Sequence, residues 1–109
     1  MDTQAEQVNA TEVVLINPFE VPADKLDESI AFWEICRDFL KTQPGYISTK
    51  LHQSLKDDAT FELINVAVWA SPQDFMTASE NMKQYLKEQG VRPVEGLKFT
   101  PALYKLIRE

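Results

Sequence analysis

From Thr60 to Ser71 the chain reads Thr-Phe-Glu-Leu-Ile-Asn-Val-Ala-Val-Trp-Ala-Ser, and apolar residues fill both sets of alternate positions. The odd set is Phe61, Leu63, Asn65, Ala67 and Trp69; the even set includes Ile64, Val66 and Val68. Successive side chains of a strand point to opposite faces, so this stretch predicts a strand covered on both sides. Only one face is interrupted. Asn65 brings an amide and Trp69 an indole N–H, four residues apart on the same side. A buried Asn must find hydrogen-bond partners, so its place here needs a reason.

The same patterning extends along the chain. Val13, Val14, Leu15 and Ile16 make a strand over Glu12–Asn17 that is again apolar on both faces. Pro18 and Pro22 bracket a short connection, and a helix follows from Pro22 or Asp24 to Lys41. Proline suits a first helical turn, and Asp24, Asp27 and Glu28 favour a helix N-terminus electrostatically. The apolar residues of this helix are Leu26, Ile30, Phe32, Trp33, Ile35, Cys36, Phe39 and Leu40. At helical spacing they cover an arc of about 220°, more than a single sheet contact needs. The excess predicts contact with a second helix or the lining of a pocket.

Gly45–Leu55 reads as a second strand, and the turn Lys56-Asp57-Asp58-Ala59 joins it to the Thr60 strand as a hairpin. Ser71 then serves as an N-cap, with Pro72 in the first turn and Asp74 in a capping-box position. Phe75, Ala78, Ser79, Met82, Tyr85 and Leu86 form the inner stripe of this second helix, and Gly90 ends it. Val91–Lys98 is expected to be a loop, and Phe99–Ile107 a last strand with Pro101 near its start.

Strand, helix, strand, strand, helix, strand is the order of a ferredoxin-like α+β domain: a four-stranded antiparallel sheet with two helices on one face. Two helices cover one face only. The other would expose Val14, Ile16, Ile64, Val66 and Val68, or the opposite set. Monomers rarely leave such a patch in water. A homodimer with sheet facing sheet is therefore expected.

Composition narrows the function classes. A chain of 109 residues, 44% hydrophobic, is expected to be one domain over residues 11–109, preceded by a polar, frayed tail at Met1–Ala10. A net charge of −6 argues against nucleic acid and anionic membrane surfaces as partners. No stretch is long and apolar enough to cross a membrane, and the N-terminal residues lack a signal-peptide core. Cys36 is the only cysteine, which fits a cytoplasmic, reducing location.

Few residues carry candidate chemistry. Asn65 and Trp69 have two readings. One is an Asn bonded to backbone beside a core Trp. The other is a pair of N–H donors facing a bound oxygen in a cavity between sheet and helices, where they would stabilise developing enolate or phenolate charge. Asn17 is a turn former before Pro18 or a third amide at the cavity rim. His52 is the sole histidine and the one imidazole that could act as a base near neutral pH; hairpin register decides which face it takes. Cys36 reads as a buried structural thiol. No spacing of His, Cys, Asp or Glu makes a metal site, no glycine-rich loop could cradle a phosphate, and no nucleophile elbow is present.

Three segments together resemble the antibiotic biosynthesis monooxygenase domain family: Gln43-Pro44-Gly45-Tyr46-Ile47, Leu51-His52-Gln53-Ser54 and Asn65-Val66-Ala67-Val68-Trp69-Ala70-Ser71. Pro101-Ala102-Leu103-Tyr104 fits its last strand, so the resemblance spans about residues 11–107. It implies a dimeric α+β barrel. It also implies a cofactor-independent monooxygenase that oxidises an aromatic or quinol-like molecule with dioxygen, without metal or flavin. Asn65 and Trp69 match the family's Asn and Trp, and Phe75 stands where it has a Tyr. Phe32, Trp33, Phe75 and Tyr85 would then be the aromatic walls of the substrate pocket. The haem-degrading branch also has an Asn resembling Asn17, but Ala78 and Glu88 replace its Trp and iron-ligating His. The alternative expectation is a non-catalytic member that binds a small hydrophobic ligand or acts as a dimeric scaffold.

Overall fold

The five-strand antiparallel sheet and its two helices follow the expected order closely. A computed structural model describes residues 11–109; the expected tail at Met1–Ala10 lies outside them. In chain order the elements are β1 (Val13–Glu20), α1 (Leu26–Leu40), β2 (Tyr46–Gln53), β3 (Leu63–Trp69), α2 (Pro72–Glu88), β4 (Lys98–Phe99) and β5 (Ala102–Tyr104). The sheet runs β2-β3-β1-β4, with β5 also paired to β1. The two strands apolar on both faces, β1 and β3, are therefore the central ones. This is a ferredoxin-like α+β fold.

Cross-strand pairing fixes which residues share a face. Val13, Leu15 and Asn17 of β1 lie opposite Trp69, Ala67 and Asn65 of β3. These odd positions face the helices, and Leu15, Ala67 and Trp69 are almost fully buried there. Val14 and Ile16 lie opposite Val68 and Val66 on the other face. The apolar side chains under the helices form two clusters. One gathers Val13, Leu15, Ala67, Trp69 and Ala78, with Tyr46 and Phe75 against it. The other gathers Phe19, Phe32, Cys36, Leu63 and Leu97, with Trp33, Leu51 and Met82 against it. Asn65 falls between them on β3, with Leu63 in one cluster and Ala67 in the other.

Several boundaries differ from the sequence reading. β1 continues through Pro18 to Glu20. Proline lacks a donor but keeps its acceptor, and the Pro18 carbonyl takes the Thr100 N–H at 3.1 Å. Pro22 and Asp24 precede α1 instead of opening it, because Asp24 sits at a positive φ of 65° that no helix admits. The last strand is broken into β4 and β5 around Pro101 and ends at Tyr104, not Ile107. The start of α2 is as expected. The Ser71 hydroxyl accepts the Asp74 N–H at 3.1 Å and donates to the Asp74 carboxylate at 3.0 Å. Gly45, at φ +85°, opens β2 beside this cap; a Cβ there would collide with the Asp74 side chain. The wide apolar arc of α1 does reach the second helix: Phe39 stacks on Tyr85 with centroids 4.6 Å apart.

Candidate functional site

The site is built on one row across the sheet. Leu51 of β2, Asn65 of β3 and Asn17 of β1 lie side by side on the helix face. The register of β1 with β4 and β5, carried through, puts Pro101 next in the row. Two carboxamides thus stand next to each other in the gap between two apolar clusters.

Asn65 is 7% exposed. Its Oδ1 accepts from the Thr49 hydroxyl at 2.7 Å and from the Trp33 indole Nε1–H at 3.1 Å. Trp Nε1–H is a donor only, so the amide end facing it must be the oxygen. The Asn65 Nδ2 group is left with no side-chain or backbone acceptor among the described residues. Asn17 has a similar polarity: its Oδ1 accepts the Thr100 N–H at 3.1 Å. The same Thr100 N–H also meets the Pro18 carbonyl at 3.1 Å, so the two acceptors share it. Both carboxamides have their oxygens occupied by protein donors and can offer N–H to a ligand.

Trp69 is 1% exposed. Its ring meets Tyr46 edge-on at 5.7 Å and Phe75 at 5.8 Å. Phe75 thus packs where the sequence put it, beside Trp69, with no hydroxyl to give. Trp33, half-buried on α1, has the Arg37 guanidinium 5.1 Å from its ring centre. Phe32 is buried in the second cluster and stacks at 6.3 Å on Phe99. Tyr85 is spent on Phe39 and braces the two helices. Asn65, Trp69, Asn17, Trp33 and Phe75 all lie on the helix side of the sheet.

His52 is not brought together with them. It pairs with Ile64, an outer-face position, and is exposed. The hairpin register puts Leu51, not His52, opposite Asn65, and a bulge between Tyr46 and Ser48 brings Tyr46 onto the same face opposite Trp69. The residue missed from sequence was Thr49. It lies opposite Ala67 on the helix face, and only the register makes that visible. Cys36 lies in the second cluster, where burial pushes its thiol up to about 11. Such a thiol is not a nucleophile near neutral pH. Among the described residues no group of three His, Cys, Asp or Glu side chains could hold a metal ion.

The arrangement can donate hydrogen bonds to an oxygen in apolar surroundings. None of the residues in the row can take up a proton near neutrality. A ferredoxin-like domain with a donor pair under its helices is the class that fold and geometry define. The sequence model of the antibiotic biosynthesis monooxygenase family matches residues 12–88, and the chain belongs to that family. It is 52% identical to a provisional monooxygenase from Shewanella loihica PV-4, covering 91% of this chain and 97% of that one with a TM-score of 0.81. SnoaB, a cofactor-independent oxygenase from Streptomyces nogalater, superposes with a TM-score of 0.73 at 21% identity, over 92% of this chain and 97% of that one. The haem-degrader MhuD from Mycobacterium tuberculosis does so at 0.66 and 19% identity, over 89% and 97%. The last two likenesses are of fold alone. No curated protein matches the sequence. No helix among the described residues is long and apolar enough to cross a membrane.

Proposed function

We propose that the protein is a cofactor-independent monooxygenase that oxidises a small aromatic or quinol-like molecule with dioxygen. The observation that carries this reading is the Asn65 carboxamide. Its oxygen is held by two protein donors, and its N–H groups are left to a ligand on a side chain only 7% exposed. A donor fixed in advance stabilises an oxyanion far better there than in water.

The residues of the row supply no base, so the substrate ionises to solvent and binds as its phenolate or enolate. Asn65 holds the charged oxygen and Asn17 steadies it from the neighbouring strand. Trp69, Trp33 and Phe75 wall the aromatic rings and keep water out. The electron-rich anion passes one electron to dioxygen, and the two radicals join through a new C–O bond. Loss of water from the resulting peroxide leaves a carbonyl. For an anthrone, one oxygen atom ends in the quinone and the other in water.

The proposed assembly is a cytoplasmic homodimer. Its support is the outer face of the sheet, where Val14, Ile16, Ile64, Val66 and Val68 form a contiguous apolar surface that α1 and α2 do not cover. A second copy with the same surface would bury it. The lone Cys36 fits a reducing compartment. Haem breakdown finds no support: Ala78 is buried against the sheet, and α2 carries no histidine.

Phe75 favours one competing reading, a non-catalytic member that binds a hydrophobic ligand without turning it over. Oxygen uptake with a panel of anthrones and quinols separates the two. The monooxygenase reading expects one dioxygen consumed per quinone formed. Binding of an anthrone without uptake, for every compound tried, would leave the ligand-binding reading standing in its place.

A further inference from the structure

The geometry points to Trp33 and Thr49 as positioning residues, which decide which end of the Asn65 carboxamide a ligand meets. This rests on the monooxygenase reading only for its effect on rate; the positioning itself can be observed without turnover.

The two ends of a carboxamide are nearly identical in shape and opposite in hydrogen-bonding sense. A free Asn side chain can turn over and present either. For a bound oxyanion one orientation attracts and the other repels. In this fold three elements converge on one atom. α1 brings the Trp33 indole N–H to 3.1 Å, β2 brings the Thr49 hydroxyl to 2.7 Å, and β3 carries the Asn65 Oδ1 that receives both. Turning the amide over would set its N–H₂ against the indole N–H, donor against donor. The threonine hydroxyl could adapt by rotating, but the indole cannot, so Trp33 imposes the sense and Thr49 tightens it. Two donors on the oxygen also draw electron density from the nitrogen end, which makes its N–H groups better donors.

Trp33 is itself held. Arg37, one helical turn on, places its guanidinium 5.1 Å from the centre of the indole ring and is anchored by Asp38 at 2.9 Å. The indole N–H is therefore fixed from the helix side, and the part of Trp33 expected to serve only as an aromatic wall has a second task. Neither Trp33 nor Thr49 needs to touch the reacting atoms through these groups; both act through Asn65.

The test uses the whole protein with Trp33→Phe, Thr49→Val and the double variant. Thr49→Ser serves as the control that keeps the hydroxyl. The Asn65 side-chain N–H₂ signals are assigned in a nitrogen–proton NMR spectrum by their loss in Asn65→Ala. A held amide gives one ordered pair of signals in the wild type and in Thr49→Ser. The double variant is expected to show doubled or broadened signals as the group samples both senses. Anaerobic affinity for the 1,8-dihydroxyanthrone anion, and kcat/KM for its oxidation in air, are each expected to fall roughly tenfold in the double variant, as the loss of an oriented hydrogen bond implies. Unchanged Asn65 signals in the double variant would overturn the inference. So would altered signals with wild-type affinity. If the wild type binds the anthrone and never oxidises it, the monooxygenase reading falls, and the signals and the anaerobic affinity still decide the role of Trp33 and Thr49.

Discussion

The two faces of the sheet differ in where they put polar side chains. On the outer face the polar residues lie at the periphery: Ser48, Lys50 and His52 of β2 lie opposite Val68, Val66 and Ile64, and Glu20 at the end of β1 pairs with Lys98. Between them Val14, Ile16, Ile64, Val66 and Val68 of the central strands are apolar. On the helix face the polarity sits in the middle, where Asn65 and Asn17 split two apolar clusters. A surface meant for another protein gains most from continuous apolar area. A pocket for a small polar-edged ligand needs a few fixed donors inside apolar walls. On the proposed reading, one face serves assembly and the other chemistry.

The largest effect is expected from breaking the outer face. Val66→Asp puts a carboxylate at its centre, and symmetry puts two in the proposed dimer interface. Burying an unpaired charge costs several kcal/mol, about enough to leave only monomer at micromolar concentration. Sedimentation would read this, with the monomer's circular dichroism unchanged because the residue lies in water there. On the helix face Trp69→Ala removes a nearly fully buried ring and should lower unfolding free energy by about 3–5 kcal/mol in a denaturant titration.

The next contrast compares polar residues across the faces. Asn65→Ala should reduce kcat/KM for an anthrone by roughly a hundredfold, as for other lost oxyanion donors. His52→Ala, on the far face, should leave it within about twofold, the scale of an ordinary surface change. Equal losses would mean that the two faces do not divide the work.

The smallest effect concerns pH. Burial raises the Cys36 thiol from its ordinary 9.0 to about 11. Below pH 9.0 the thiol is protonated in both folded and unfolded chains and contributes no slope. Between the two values the unfolded chain loses the proton first, so stability falls as pH rises, by up to about 1.4 kcal/mol per pH unit. Cys36→Ala lacks this slope. The stability gap between wild type and variant should therefore narrow on going from neutral to strongly alkaline buffer.

Much of this division can be read from residue order alone. Thr60–Ser71 announces a strand apolar on both sides, of which Leu63–Trp69 forms β3, and Asn65 is the amide that interrupts its helix face. Ser71, Pro72 and Asp74 set the start of α2 through local chemistry, which sequence carries well. Register is another matter. Whether His52 or Leu51 meets Asn65 depends on the loop that joins β2 to β3, and one residue of slip reverses the face. Thr49 was invisible for the same reason. Pro18 and Pro101 misled in opposite directions. The first sits inside β1 with its carbonyl still accepting the Thr100 N–H, and the second lies at the break between β4 and β5.

The most direct test of a donor-only site is the acidity of what it binds. A bound 1,8-dihydroxyanthrone, kept anaerobic and followed by its absorbance, should ionise at lower pH than the same compound free in buffer, because Asn65 and Asn17 offer N–H groups to the anion. The shift should shrink in Asn65→Ala. A bound ligand that ionises at the same pH as the free one, or at higher pH, would contradict the account.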